Sequence, residues 1–395
     1  MFRNPRFRQS ALLSVGMVVN SILGLSFYIF VARTEVLSLS SYGTLAYFIA
    51  TGILLADLCD MGISTALVRF SHQEELPKVM AISLLHRIAV GIIFLLLALI
   101  FKQFAPSFVL AVILLLQTVT SQSLLALQKY FWYVMANVVG NIFRLVLTFI
   151  LFFTHLLSLQ STLVAFMAGI MLTILLGYYG LRLHGFQPVF RSVRATFIKV
   201  FHFGKWSGLS FSLAAVSSKV DTQFLFFLSG SVSVALYASA QKMASLFPQL
   251  LGSLDGVFGP KFAQEKEFSI YFTEYLLISF AGAALLLILI PLAPFILVLL
   301  FGEKFSPAAT VFQILLGGMI LFTLSAPYSS SVLFRFGKSF YHLIASVVQI
   351  VSSLTFLVLL IPPLGALGAA WAFVGSNLVN LVVRIVFHYR LARHA

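Results

Sequence analysis

Four basic residues of this chain lie well inside long apolar stretches. They are Arg87, Arg144, Lys219 and Lys242, and two more, Arg33 and Arg384, lie near the ends of such stretches. An ionised side chain in hydrocarbon costs at least about 2.5 kcal/mol, so residues of this kind usually face a water-filled cavity or a partner. The pattern predicts a membrane channel or carrier with a mainly cationic interior.

Arg144 belongs to the clearest polar stripe in the sequence. Asn137, Asn141, Arg144 and Thr148 follow one another at spacings of four, three and four residues, which places them on one face of a helix. Such a stripe either lines a cavity or holds neighbouring helices together by hydrogen bonds. The spacing alone leaves both interpretations open.

Four aspartates also lie within apolar stretches: Asp57, Asp60, Asp221 and Asp255. Asp57 and Asp60 are three residues apart, and two close carboxylates repel each other when both are ionised, which favours uptake of a proton or a cation. The alternative is that at least one of them neutralises Arg87 on the following stretch. The four aspartates are the candidates for coupling to protons or sodium, and the sequence predicts no other cofactor and no metal site.

The composition excludes a soluble protein. Hydrophobic residues make up 61% of the chain and charged residues 9%, against about 25% charged residues in soluble domains. A net charge of +14 would suggest a nucleic-acid partner in a soluble protein, but here the basic residues are scattered through short loops, so none is predicted. The single cysteine, Cys59, can form no intrachain disulfide bond.

The elements that must position these residues are transmembrane helices. Twelve apolar stretches reach the length of about 20 residues that a membrane-spanning helix needs. They run near 10–33, 41–66, 79–101, 108–128, 131–153, 161–182, 206–228, 233–258, 271–300, 308–334, 340–361 and 365–388. The expected fold is therefore an all-α integral membrane protein with about twelve spans.

The loop charges predict the orientation. Seventeen of the 25 Lys and Arg residues fall at the termini and in alternate loops on one side, whereas only Lys102 and Lys304 fall in loops on the other side. By the positive-inside rule, both termini are then cytoplasmic.

A basic connection divides the chain into two halves. Segments 101–107 and 301–307 resemble each other, which indicates a duplication. The expected domains are a six-helix lobe at 1-183, a cytoplasmic linker at 184-205 and a second six-helix lobe at 206-395, related by a pseudo-two-fold axis along the membrane normal. The linker has an amphipathic pattern typical of a helix on the membrane surface, or is a plain basic connection.

Several short motifs occur in an order that is similar to one family of transporters. They are Val31-Ala-Arg33, Tyr42-Gly43, Asp60-Met-Gly-Ile-Ser-Thr-Ala-Leu-Val-Arg69, Asp221, Leu236-Tyr-Ala-Ser-Ala, Gly259-Pro260, Leu300-Phe-Gly302 with Pro307-Ala-Ala, and Leu364-Gly-Ala-Leu-Gly-Ala-Ala370. On these residues the chain resembles the Wzx-type O-antigen flippases, which belong to a superfamily with the MATE multidrug exporters and the lipid II flippases. Thr222 follows Asp221 where that family commonly has Arg.

The resemblance implies a MATE-like fold and a non-enzymatic carrier in the bacterial inner membrane. Its implied substrate is undecaprenyl-pyrophosphate-linked oligosaccharide, moved from the cytoplasmic to the outer leaflet. Membrane lipids, a polysaccharide polymerase and a chain-length regulator are the implied partners.

The residue chemistry agrees with an anionic headgroup, because Arg binds phosphate oxygens in a forked geometry and Lys supplies a point charge. The predicted substrate-binding residues are Arg144, Arg87, Lys219, Lys242, Asn137, Asn141, Arg33 and Arg384.

Two other classes remain as alternatives. A MATE-like exporter of organic cations needs a net acidic, aromatic cavity, whereas the embedded charges here are mainly basic. An integral membrane polymerase or ligase of glycans is expected to carry a long outer loop with catalytic residues, and no outward loop in this sequence exceeds roughly ten residues.

Single-cysteine labelling tests the predicted topology. In a Cys59→Ser background, Ser158→Cys and Ser231→Cys should react with an impermeant thiol reagent added outside the cell, because both positions lie in predicted outward loops. Ser192→Cys, in the predicted cytoplasmic linker, should not react. External labelling of Ser192→Cys would refute the orientation.

Overall fold

The structure is a computed structural model that describes residues 5–70, 76–191, 193–246, 258, 261–262 and 268–393. Its long elements in these ranges are all helices, and eleven of them are long and apolar enough to cross a membrane. The sequence-based prediction of an all-α, multi-pass integral membrane protein is confirmed.

We number the α-helices in chain order. They are α1 (Pro5–Arg33), α2 (Leu39–Leu58), α3 (Ile63–Arg69), α4 (Leu76–Ile100), α5 (Ala105–Ala126), α6 (Tyr130–Phe153), α7 (Leu159–Leu183), α8 (Arg194–Ala244), α9 (Phe268–Phe301), α10 (Ala308–Ser330), α11 (Ser339–Leu364) and α12 (Ala366–Ala392). Two 3-10 turns precede α5 and α10, and a π-helical turn at Ser331–Arg335 follows α10.

The second predicted stretch does not form one helix. α2 ends at Leu58, and α3 begins only at Ile63. Between them, Met61 and Gly62 adopt positive φ angles of 49° and 76°, a left-handed conformation that cannot continue a right-handed helix. Asp60 therefore lies in a turn, not on the helix that carries Asp57.

Helix α8 reverses direction at Gly230. This residue has φ 83° and ψ 176°, far from helical values. The Tyr237 hydroxyl donates a hydrogen bond to the Asp221 carboxylate, sixteen residues earlier, at 2.5 Å. In a straight helix these residues would be about 24 Å apart, so α8 is a hairpin of two helical segments. The chain reverses between the predicted seventh stretch, 206–228, and the eighth, 233–258. The two stretches are therefore separate helices, as a count of about twelve spans requires.

The chain divides into two compact units. The first unit contains residues 1–41 and 45–219, and the second contains residues 42–44 and 220–395. The first part of α8 belongs to the first unit because it packs there: Gly208 approaches the backbone of Met61 so closely that a Cβ atom would lie 2.5 Å from it. The lobe boundaries at 184-205 stay a prediction, since the compact units part within α8.

The predicted linker helix is only partly helical. Residues 184–191 and 193 lack regular helix, and α8 starts at Arg194. The Val189 amide donates to the Pro77 carbonyl oxygen at 3.0 Å, while Phe186 and Val193 pack against a buried apolar cluster that includes Leu67 and Leu76. This stretch therefore follows the surface of the first unit.

In the first unit, α6 packs against α1 and α7, and α5 packs against α4 and α7. Small residues allow the approach of α6 to α7. A Cβ atom on Gly140 would lie 2.0 Å from Thr173 Oγ1 and 2.7 Å from the Gly169 carbonyl oxygen, and one on Gly169 would lie 2.7 Å from Arg144 Cβ. The close contact places Arg144 directly against α7.

In the second unit, α10 packs against α9 and α12, and α11 packs against α12. The similar segments 101–107 and 301–307 have the same local structure in their respective units. Each contains a 3-10 turn, Lys102–Phe104 in one and Glu303–Phe305 in the other, between two long helices. The two connections thus fold alike.

The contact between α6 and α7 predicts the effect of a single methyl group. Gly140→Ala should lower the melting temperature of the detergent-solubilised protein by several degrees, because the new Cβ overlaps a backbone carbonyl oxygen that cannot move freely. Gly317→Ala in α10 is the matched control, since a Cβ there meets no atom within 4 Å. Equal melting temperatures for the two variants would contradict the proposed close packing.

Candidate functional site: the buried charges

Arg87, on α4, is enclosed in a hydrogen-bonded network. Its side chain has 0% exposure, and Nη2 forms an ion pair with Asp60 Oδ1 at 2.5 Å. Nη2 also donates to Ser64 Oγ at 2.9 Å, Nε donates to Thr118 Oγ1 at 3.1 Å, and Nη1 donates to Ser83 Oγ. The structure thus decides between the two interpretations of Asp60: it neutralises Arg87.

Arg144, on α6, has a different environment. Its side chain is 6% exposed, and the guanidinium carbon lies 4.6 Å from the ring centres of both Phe27 on α1 and Phe166 on α7. None of its side-chain nitrogens donates a hydrogen bond to another residue that the structure describes, and Nε is itself buried. No carboxylate pairs with it in the described ranges. The guanidinium carbon thus lies over the faces of both rings, a cation–π contact that uses none of its N–H donors.

The asparagines of the α6 stripe contact neighbouring helices. The Asn141 amide donates to Asn20 Oδ1 on α1, and the Gln117 amide on α5 donates to Asn137 Oδ1 at 3.5 Å. Both asparagines are half-buried. These contacts are of the kind expected for interhelical hydrogen bonding, and the stripe's role in binding a substrate stays a prediction.

Lys219 connects two groups of polar residues in the first unit. The Tyr28 phenol lies within electrostatic range of both Arg144 and Lys219. Lys219 also lies within electrostatic range of the Asp57 carboxylate. Lys219 therefore interacts electrostatically with Asp57 and, like Arg144, with Tyr28.

Asp57 lines a cavity of about 630 Å³ in the first unit. The polar residues of the lining come from α2, α3, α5 and α8 and from the turn after α2: Asp57, Asp60, Ser64, Thr65, Thr118, Gln122 and Ser218. Asp57 is exposed and forms no side-chain hydrogen bond to another described residue. Its carboxylate is thus available to a ligand, unlike that of Asp60.

In the second unit, Asp221 is 8% exposed and its carboxylate accepts several hydrogen bonds. The Tyr237 hydroxyl donates at 2.5 Å, the Gln241 amide at 2.9 Å and the Thr222 backbone amide at 2.6 Å. Such a set of donors satisfies a buried carboxylate and fixes the two arms of the α8 hairpin relative to each other.

The remaining predicted site residues are dispersed. Lys242, on α8, is half-buried, and Arg33 is exposed in the last turn of α1. Arg384 Nε donates to Asn380 Oδ1, one turn earlier on α12, at 2.8 Å. Asp255 lies outside the described residues. No group of three or more His, Cys, Asp or Glu side chains in the described ranges has the arrangement of a metal site.

A family model described as "Polysaccharide biosynthesis protein" matches residues 7–266, well over half of the chain. The chain belongs to this polysaccharide biosynthesis protein family. No curated protein sequence gives a match.

Solved structures with this fold are transporters by name. An inward-facing multidrug resistance MATE family transporter of the MOP superfamily has 18% identity, a TM-score of 0.70 and coverage of 98% of both chains. The lipid II flippase MurJ in an inward closed conformation has 16% identity and a TM-score of 0.75, covering 97% of this chain and 90% of its own.

A MOP superfamily transporter from Pyrococcus furiosus is similar as well, with 18% identity and a TM-score of 0.67 over 98% of this chain and 94% of its own. At these identities the likeness shows the fold, which confirms the expected MATE-like architecture.

The residues that surround Arg144 and Asp57 could not be predicted from the sequence of this family member. Phe27 and Phe166 are two of 42 phenylalanines, and only the packing of α1 and α7 against α6 brings them to Arg144. Thr65 and Gln122 belong to helices other than that of Asp57, and no sequence spacing links them to it. The helical stripe did find Arg144, because all its members lie on one helix.

The Arg87–Asp60 pair predicts a strong dependence of stability on both partners. Asp60→Leu should destabilise the protein by about 3–5 kcal/mol, because it leaves a buried, uncompensated guanidinium. The double variant Asp60→Leu/Arg87→Met should recover much of this loss. Asp57→Asn, at an exposed carboxylate, is the control and should change the melting temperature little. A double variant that is less stable than Asp60→Leu would argue against the pair.

Proposed function

We propose that this protein is a flippase that moves undecaprenyl-pyrophosphate-linked oligosaccharide from the cytoplasmic to the outer leaflet of the inner membrane, for assembly of a surface polysaccharide such as O-antigen, capsule or exopolysaccharide. Both termini are cytoplasmic in this proposal, and transport proceeds by alternating access. A polysaccharide polymerase and a chain-length regulator act on the exported product. The family supports a role in polysaccharide biosynthesis, and the fold supports transport.

The observation that carries the proposal is the environment of Arg144. A buried cation without an acidic partner is costly, and two aromatic rings offset only part of this cost, about 2 kcal/mol where the contact is desolvated. An anion that enters this site would supply the missing charge and accept the in-plane N–H groups. A diphosphate suits these groups well, because Arg binds phosphate oxygens in a bidentate geometry.

The polyprenyl tail and the glycan place different demands on the protein. In our proposal the tail stays in the lipid, since transferring its hydrocarbon into a polar site would be unfavourable. Arg144 binds the diphosphate, and Lys219 adds a second positive charge near Tyr28. Arg87 is less suited to this role in the observed conformation, because its donors are used within the protein.

The rival function is export of organic cations, by analogy with the MATE transporter of similar fold. The surroundings of Arg144 argue against it, because a cationic drug would be repelled by an unneutralised guanidinium. Coupling to protons or sodium remains part of the proposal through Asp57. Among the candidate aspartates that the structure describes, it is the one whose carboxylate has no hydrogen bond to another described residue.

Variants of Arg144 test the proposed function. Arg144→Met should reduce surface-polysaccharide display at least about tenfold, because the charge that binds the diphosphate is lost while the apolar volume between the rings is kept. Arg144→Lys should retain part of the activity, since the charge remains but the forked geometry does not. Display is measured by lectin or antibody staining in a strain that carries only the variant gene, beside membrane abundance by immunoblot.

Arg390→Ala, at an exposed arginine in the last turn of α12, is the matched control and should display glycan normally. The gene-deleted strain should accumulate lipid-linked oligosaccharide in the inner leaflet. Normal glycan display in the deleted strain, together with increased sensitivity to cationic dyes, would support the exporter function instead. An abundant Arg144→Met protein with full display would exclude Arg144 as a substrate contact.

A further inference from the structure

We infer that the cavity beside Asp57 binds sugar residues of the transported lipid-linked oligosaccharide. This pocket then recognises the glycan, while Arg144 binds the diphosphate. The inference rests on the proposed function and adds to it a recognition site for neutral or amino sugars. It is carried by five features of the pocket: its size, its unused polar groups, its fixed wall, its charge and its position relative to Lys219.

The size of the pocket fits an organic ligand. A volume of about 630 Å³ is within the range of about 300–1,000 Å³ that is typical of small-molecule sites. A bound proton or sodium ion needs no such space, and a cation site needs several converging oxygen ligands. Two acidic residues line the pocket, and Asp60 is already paired with Arg87. Asp57 therefore remains as the one lining carboxylate without an ion pair at hydrogen-bonding distance among the described residues, which is too few for a cation site.

Three side chains of the lining have no hydrogen-bond partner among the residues that the structure describes: Asp57, Thr65 and Gln122. They come from α2, α3 and α5. A carboxylate accepts hydrogen bonds, a hydroxyl both donates and accepts, and an amide offers two donors and an acceptor. Vicinal hydroxyl groups of a sugar, each both donor and acceptor, match such a mixed set.

The wall behind these groups is fixed. Ser64 and Thr118 also face the pocket, and each accepts a hydrogen bond from Arg87, at 2.9 Å and 3.1 Å. Arg87 therefore holds α3, α4 and α5 together around the cavity. A pocket with a rigid wall loses less conformational entropy on binding, which favours discrimination between similar ligands.

The charge of the pocket limits the sugars that it accepts. The Asp57 carboxylate would repel a uronic acid or a phosphate placed beside it. Lys219, within electrostatic range of Asp57, reduces the attraction for a simple organic cation. A neutral or amino sugar, bound through its hydroxyl groups, meets neither difficulty.

The position of the pocket agrees with the order of groups in the substrate. Lys219 lies within electrostatic range of Asp57 and also of Tyr28, which in turn lies near Arg144. The diphosphate of a lipid-linked glycan is covalently joined to its first sugar. Ser218, the chain neighbour of Lys219, lines the pocket. A sugar site at Asp57 and a phosphate site at Arg144 are therefore compatible with one substrate molecule whose diphosphate is joined to its first sugar.

Binding to two lipids tests the inference. The full-length protein in lipid nanodiscs is titrated with sugar-free undecaprenyl diphosphate and, separately, with the lipid-linked oligosaccharide extracted from the gene-deleted strain. The wild type should bind the glycolipid at least about tenfold more tightly. Asp57→Asn, Thr65→Val and Gln122→Leu, each nearly isosteric, should weaken glycolipid binding roughly five- to twentyfold and leave the sugar-free lipid unaffected.

Two controls separate this inference from the proposed function. Thr154→Val, an exposed threonine that donates to its own helix backbone, should change neither affinity. Arg144→Met should weaken both lipids, because both carry the diphosphate. Equal wild-type affinities for the two lipids, or equal effects of the pocket variants on both, would overturn the sugar site and leave the flippase function standing.

Two other outcomes also decide the matter. If the wild type binds neither lipid, the proposed function and the sugar site both fall. If Asp57→Asn abolishes sodium binding, measured with sodium alone, while glycolipid affinity is unchanged, the pocket is a coupling-ion site and the inference is wrong.

Discussion

A charge that is buried among apolar helices has to be neutralised, and no bulk water is present to do it. The two buried arginines of the first unit meet this constraint in opposite ways. Arg87 is neutralised by Asp60 and bound by three hydroxyl groups from three helix segments, so its role is complete within the protein. Arg144 has two aromatic rings but no acidic partner among the described residues, and in our proposal an incoming anion supplies the opposite charge. The same constraint thus separates a structural arginine from a candidate binding arginine.

The packing around Arg144 depends on two glycines. Because Gly140 and Gly169 let α6 and α7 touch, the guanidinium reaches the ring of Phe166 instead of lying in an open groove. Phe27 on α1 completes the site from another helix. Three helices therefore set the direction of the N–H donors. A lysine at this position would not present donors in a fixed fork, because an ammonium group is compact and not planar.

The sequence was a good guide wherever a single helix carries the information. Apolar length predicted the spans, and the spacing of polar residues placed Arg144 on a buried face. It failed where the chain turns or where helices meet. The i, i+3 spacing of Asp57 and Asp60 suggested one shared face, but the left-handed Met61 and Gly62 end α2 and send the two carboxylates to different partners. The pocket lining, drawn from α2, α3, α5 and α8, has no linear pattern that could reveal it.

The divergence of the two aspartates has a consequence for transport. If both had remained on α2, the two carboxylates would have lain on one helix face, three residues apart, and would have had similar access to Arg87. Because the turn commits Asp60 to Arg87, Asp57 is left to the cavity, and Arg87 also orders the hydroxyl groups that flank it. Lys219 interacts electrostatically with Asp57 at the pocket and with Tyr28, which also interacts with Arg144. In our proposal, one compact unit thus supplies both a pocket for sugar hydroxyl groups and an arginine for phosphate, and a molecule that joins a sugar to a diphosphate contacts both.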